Sequence, residues 1–168
     1  MNQLTPSDAT DLGKQVQTMV HALPGGAKGL GAWLSVVRTY QKCADVISQR
    51  IKPLGIKLAQ HEVLVSLLSH SPQTQQQLAA SSYVTKSHMS AVLADMASSG
   101  WLTREGSAGD RRSKAVVLTE AGQALALRAF GVQMQVVSAM MGSLSAAQTN
   151  QLAQVSASAI AGLESLGD

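Results

Sequence analysis

Aromatic side chains are scarce in this sequence. Its 168 residues include one Phe, two Trp and two Tyr, 3% in all. Its core therefore cannot rest on stacked rings and has to be filled by Leu, Val, Ile, Met and Ala. Cysteine is almost absent as well. Cys43 stands alone, which excludes a disulfide framework and points to a reducing compartment. No stretch approaches the roughly 18 consecutive apolar residues of a membrane span. Met1 to Leu23 lacks the basic start and apolar run of a secretory signal. A cytoplasmic chain without a membrane segment is expected. The histidines are His21, His61, His70 and His88, and they form no H-x-x-x-H pair. With a single cysteine there is no C-x-x-C, so no metal site is expected. A G-x-S-x-G elbow and a phosphate-cradling glycine loop are also missing. No cofactor and no enzymatic activity are expected.

What is present is an apolar, Ala-, Gln- and Leu-rich composition, 45% hydrophobic, suited to a mostly helical protein with its own core. The net charge of +3 is modest, but its distribution is uneven. Gly31 to Lys114 carries ten Lys/Arg and five Asp/Glu, while the remainder carries three and five. A basic middle between acidic ends suggests an anionic partner for the middle.

Periodicity divides the chain. Residues 1–31, with Pro24-Gly25-Gly26 and two further glycines, read as a flexible extension holding a short helix around Asp8 to Ala22. Trp33, Val36, Val37, Tyr40, Ala44, Ile47 and Ile51 mark a helical stripe from Ala32 that Pro53 and Gly55 end. Leu58 to Leu68 forms a second helix. Thr74 to Gln77 is a capping box that opens a third. Thr85 is placed to cap a fourth, with Met89, Val92, Leu93 and Met96 on one buried face and Gly100 at its left-handed end. The period then changes. Trp101 to Arg104, a turn at Gly106 to Gly109 and a return strand from Ser113 to Leu118 read as a β-hairpin, the only clear β structure. Thr119 caps a long helix to about Met141, and Ser145 with Gln148 opens a last one.

Three helices followed by a hairpin form a winged helix-turn-helix. The fold class expected is mainly α with one small β-hairpin wing (α+β), joined to a helical lobe. A helix about 10–12 Å wide fits the B-DNA major groove. With the Met89 stripe buried, Ser87, Ala91 and Ala94 point outward, flanked by His88 and Ser90, with Lys86 at the helix start. Small polar residues and free amides there suit close approach to DNA. The plainer reading is an ordinary solvated face.

The run Asp110-Arg111-Arg112, then Lys114, Val116, Leu118, Thr119 and Gly122, resembles the D-x-R, strand, L-T-x-x-G signature of the MarR family of bacterial regulators. Leu78-Ala79, Val84-Thr85, Met89-Ser90 and Gly100-Trp101-Leu102 fall at that family's helix-turn-helix spacings. The resemblance covers about Ala32 to Leu166. It implies a homodimer in which residues 32–54 and 120–166 build a dimerisation lobe and 55–119 the DNA-binding domain. Two such domains would read a pseudo-palindromic double-stranded operator with half-sites about 34–36 Å apart. Arg112 would enter a minor groove, Asp110 would hold it, and Arg104, Arg111 and Lys114 would meet phosphates. Read without the resemblance, the same charges are a turn that solubilises the hairpin. Two residues depart from the pattern. Ala91 replaces a basic residue facing DNA, and Tyr83 replaces a turn glycine.

The family also implies regulation, most often as a repressor released by a small aromatic or phenolic ligand or by oxidation. Trp33, Arg38, Tyr40 and His61 are the cleft candidates, against a packing role for Trp33 and Tyr40. Cys43 is the redox candidate, against a role as a small buried hydrophobe. The alternative function is a winged-helix protein–protein interaction module without DNA binding.

Overall fold

The computed structural model describes the backbone of residues 6–82, 86–107 and 110–166, and the side chains of 13–82, 87–104 and 115–166. Two compact units emerge, Met1–Asp45 and Val46–Asp168.

The first unit holds α1 (Pro6–Ala22) and most of α2 (Gly26–Ile51). Here the structure corrects the sequence reading. The helix expected from Ala32 begins at Gly26, and Gly29 and Gly31, read as part of a joint, lie inside it. The break between the two helices is confined to a turn at Leu23–Gly25, where the Gly26 N–H donates to the Leu23 carbonyl at 2.8 Å. The Gly29 N–H then donates to the Gly25 carbonyl at 3.2 Å, so the glycines propagate the helix rather than interrupt it. The stripe on α2 is covered only at its far end. Ile51 is buried, whereas Trp33, Val36 and Tyr40 are more than half exposed.

The second unit carries the core. After a 3₁₀ turn (Lys52–Leu54) come α3 (Leu58–Ser69), β1 (Gln73–Thr74), α4 (Gln75–Ser81), α5 (Lys86–Ser98), β2 (Leu102–Ser107), β3 (Asp110–Leu118), α6 (Glu120–Met141) and α7 (Ala146–Glu164). Val63, Leu64 and Leu67 of α3 meet Leu78 of α4, Leu93 and Met96 of α5, Val116 of β3 and Ala126 of α6 in one apolar cluster. Aliphatic side chains and Met fill it, as the shortage of rings requires.

Three expected caps are present. Thr74 accepts from the Gln77 N–H at 3.2 Å, Thr119 from the Gly122 N–H at 3.0 Å, and Ser145 from the Gln148 N–H at 3.3 Å. Each satisfies an amide that the first helical turn leaves without a partner.

The sheet has three strands in the order β1-β3-β2, not the two of a lone hairpin. Gln73 pairs with Val116 and Thr74 with Ala115, antiparallel. The added strand escapes a propensity reading because it is two residues long and is held by a side chain. The Gln73 amide donates to the carbonyls of Ser66 (3.0 Å) and His70 (2.6 Å). That anchors the exit of α3 and leaves the Gln73 backbone extended beside β3.

By length and apolar composition, α6 also reaches the measure of a membrane span. Its Leu125, Ala126 and Ala129 are buried in the core cluster, and Gln123, Arg128, Gln133 and Gln135 interrupt the apolar run. One apolar stripe on the core with polar residues between is the pattern of an amphipathic helix.

Candidate nucleic-acid interface

The surface of interest is built on α5. Met89, Leu93 and Met96 are fully buried and Val92 nearly so, which fixes the rotation of the helix about its axis. Ser87, His88, Ser90, Ala91 and Ala94 are then exposed on the opposite side, as the stripe predicts. Thr85, read as the N-cap, lies outside the described residues, as does Tyr83, and Lys86 is described in its backbone alone.

The handover from α5 to the wing is a Schellman motif. Gly100 adopts φ +74°, a conformation that an L side chain resists. The Gly100 N–H donates to the Ala97 carbonyl and the Trp101 N–H to the Met96 carbonyl, both at 3.0 Å. The chain turns at once into β2. There Leu102 pairs with Leu118, Thr103 with Val117, Arg104 with Val116, Glu105 with Ala115 and Gly106 with Lys114, before an irregularity at Gly106/Ser107. Leu102, Val116 and Leu118 are buried, so the base of the wing is part of the core. The strands run longer than the sequence reading placed them. Arg104 is exposed on β2. Asp110, Arg111, Arg112 and Lys114 stand on β3. Their side chains, and hence the expected Asp110–Arg112 pair, lie outside the described residues.

The wing base is pinned to α6 by Thr119. Its hydroxyl donates to the Gly100 carbonyl at 2.7 Å while accepting from the Gly122 N–H. Its own N–H donates to the Trp101 carbonyl at 3.1 Å. The L-T-x-x-G run is thus the clasp between α5, the hairpin and α6.

The candidate cleft residues are not alike. Trp33, Arg38 and Tyr40 are exposed on α2 in the first unit. His61 lies on α3 in the second and is 3% exposed. Cys43 is half-buried on α2. Among the described residues, no group of three or more His, Cys, Asp or Glu side chains is placed to hold a metal ion.

Neither ring nitrogen of His61 has a hydrogen-bond partner of good geometry. Burial pushes its pKa below the ordinary value of 6.5, opposed by a backbone interaction with Ala129 of α6. Burial pushes the neighbouring Glu62 carboxyl upward. An unfolded chain binds the His61 proton more readily than the folded one. The stability it allows is therefore complete above about pH 6.5 and lost as pH falls below that value. A buried ring with no well-formed hydrogen bond also costs free energy at neutral pH. His61→Leu is expected to stabilise the chain by about 1–2 kcal/mol at pH 7.5, and by more at pH 5.5. Urea unfolding at both pH values measures this. Glu62 contributes equally to both chains, so equal pH slopes in wild type and variant would show that His61 does not titrate as described.

Comparison with known proteins matches this geometry. The sequence model of the MarR family matches residues 56–114, from just before α3 into β3. An uncharacterised HTH-type transcriptional regulator of Bacillus cereus is 28% identical over 102 residues, covering 61% of this chain and 67% of its own length. The structure of the Mycobacterium tuberculosis MarR family protein Rv2887 in complex with salicylic acid is 28% identical. Its TM-score is 0.59, over 71% of this chain and 89% of that one. The S. aureus MepR–DNA complex superposes with a TM-score of 0.70 over 78% of this chain and 96% of that one. At 19% identity, that likeness speaks for the fold alone.

Proposed function

From the match of residues 56–114 to the MarR family model and the likeness to winged helix-turn-helix regulators, we propose that the chain binds a pseudo-palindromic duplex as a homodimer and represses transcription in the cytoplasm until an effector releases it. It is a DNA-binding transcriptional regulator and not an enzyme. The observation that carries the reading is the orientation of α5. Its apolar stripe is locked inward, which leaves Ser87, His88, Ser90 and Ala91 outward beside an antiparallel wing. In this reading α5, from Thr85 and Lys86 onward, enters a major groove. Arg112 reaches a minor groove with Asp110 as its support, and Arg104, Arg111 and Lys114 meet phosphates. The fold shared with MepR is one that sits on DNA.

Homodimerisation draws on the apolar helix faces that a single chain leaves uncovered. They comprise Trp33, Val36 and Tyr40 on α2, and Leu152, Val155, Ile160 and Leu163 on α7. Aliphatic and aromatic residues at helical spacing, exposed to this extent, mark an interaction face. A second copy is the occupant that gives a two-fold reader for a two-fold site. The expected species in sedimentation has twice the 17.5 kDa of one chain. The effector class proposed is a small aromatic or phenolic acid, on the strength of the salicylic acid in the Rv2887 complex. Trp33, Arg38 and Tyr40, exposed on α2, remain its candidate contacts, whereas His61, the fourth expected from the sequence, is buried. Release by oxidation at Cys43 is the second route.

The test is selection of bound duplexes from a random library. An inverted repeat should emerge, with half-sites about one helical turn apart. Its affinity should fall roughly 1,000-fold between 50 and 200 mM salt if about six phosphates are neutralised. No enrichment together with a flat salt response would replace this reading with the protein–protein interaction module.

A further inference from the structure

Gln60, in the first turn of α3, is 5% exposed, and both ends of its amide are engaged. Its Oε1 accepts from the Lys57 N–H at 2.8 Å and closes the start of the helix. Its Nε2 donates to Oδ2 of Asp95 at 2.7 Å. Asp95 lies near the end of α5, where its carbonyl also receives the Ser98 hydroxyl and the Ser99 N–H and hydroxyl. One buried amide therefore ties the beginning of α3 to the last turns of α5. The core contacts of α5 are made by Met89, Val92, Leu93 and Met96. Apolar contact is non-directional: it sets which face is buried, but fixes tilt and register poorly. A short hydrogen bond to a carboxylate is directional.

We infer that Gln60 is a positioning residue for DNA reading: through Asp95 it sets the tilt of α5, and so the aim of Ser87, His88, Ser90 and Ala91. The inference rests on the DNA-binding reading above. The lever is long enough to matter. Ser87 lies eight residues from Asp95, about 12 Å along the helix. A tilt of roughly 10° about Asp95 moves it by about 2 Å, enough to break a base-edge hydrogen bond. Phosphate contacts through flexible side chains tolerate such a shift, so the tie governs discrimination between sequences more than overall affinity.

Exchanging the two groups tests this. Gln60→Glu keeps an acceptor for the Lys57 N–H but sets a second carboxylate against Asp95. Asp95→Asn keeps an acceptor for Gln60. The double substitution restores an amide–carboxylate pair with donor and acceptor exchanged. The probes are the duplex that wild type selects from the random library and a random-sequence duplex of equal length, both read by fluorescence anisotropy. Gln60→Glu should lose about tenfold on the selected duplex and less than about twofold on the random one. Asp95→Asn and the double variant should stay within about twofold of wild type on both. A role in stability alone would lower the melting temperature and affect the two duplexes together. Unchanged binding by Gln60→Glu, equal losses on both duplexes, or failure of the double variant to recover overturns the inference. Should Gln60→Glu fail to fold, Asp95→Ala, at an exposed position, decides the matter. A loss confined to the selected duplex supports the tie, and none refutes it. If wild type selects no sequence, the DNA-binding reading fails and this inference falls with it. Normal selection by wild type with no effect of the variants removes the inference alone.

Discussion

Gly122→Ala should cost about 3 kcal/mol or more of folding stability, the upper end of what overpacking does. Gly122 is the third residue of α6, where alanine is ordinarily the better helix former. The reason lies in what sits against it. A Cβ at this position would overlap the Trp101 carbonyl oxygen and come within 2.8 Å of its carbon. That carbonyl has no room to withdraw. It accepts the Thr119 N–H, and the Trp101 N–H is committed to the Met96 carbonyl in the turn that ends α5. Beside it, the Thr119 hydroxyl donates to the Gly100 carbonyl. Moving Trp101 outward breaks these bonds together and detaches the wing base from α6. Gly131, about two and a half turns further along the same helix, has nothing within 4 Å of the same added atom. Gly131→Ala should therefore stabilise the chain by about 0.5–1 kcal/mol through helix propensity alone. Urea unfolding followed by tryptophan fluorescence measures both. Equal midpoints for the two variants would mean that the clasp yields, and that Gly122 is not required by close approach. For a domain whose whole stability is about 5–15 kcal/mol, the two glycines separate a tolerated change from a disabling one.

How much of this was legible beforehand follows from the range of each interaction. Thr74 with Gln77, Ser145 with Gln148, and Thr119 ahead of α6 are local. Each cap reaches three residues along the chain, and its hydrogen bonds appear where the spacing put them. The Met89 stripe and the left-handed Gly100 are local in the same sense, so the outward face of α5 followed from the sequence directly. Interactions across the fold were not readable. Nothing in Gln73-Thr74 as a dipeptide marks a strand. It becomes one because the Gln73 amide is used on Ser66 and His70 and because β3 offers a free edge. Gln60 opens α3 behind Lys57, and lysine is no capping residue, so the spacing rule passed over it; its bond to Asp95 spans 35 residues. Likewise His61 reads as a polar residue free to face a cleft, and only the packing of α3 and α6 buries it. The glycines after Pro24 are ambiguous by nature, since the residue that ends one helix is also tolerated inside the next.

Arg112→Ala should reduce affinity for the selected duplex by about 100-fold, through two symmetric contacts worth roughly 1–2 kcal/mol each. The expectation comes from charge, position and groove geometry. Arg112 stands two residues into β3, at the end of the wing away from the core residues Leu102 and Leu118. A narrow A·T-rich minor groove concentrates negative potential, and a guanidinium there exchanges bulk water for that field. The loss should be selective. If Arg112 reads the groove, substituting the A·T pairs under the wing by G·C should weaken wild type and leave Arg112→Ala nearly indifferent. Arg104→Ala provides the contrast. Arg104 is exposed on β2. If it meets a phosphate, its removal should weaken all duplexes about equally and lower the salt slope by about one unit for each phosphate no longer neutralised. If Asp110 supports Arg112, Asp110→Ala should fall between wild type and Arg112→Ala, since the cation stays. Titrations of the four chains against both duplexes at two salt concentrations separate these effects. If Arg112→Ala and Asp110→Ala both bind as wild type does, the wing does not read the minor groove, and specificity has to be sought in α5 alone.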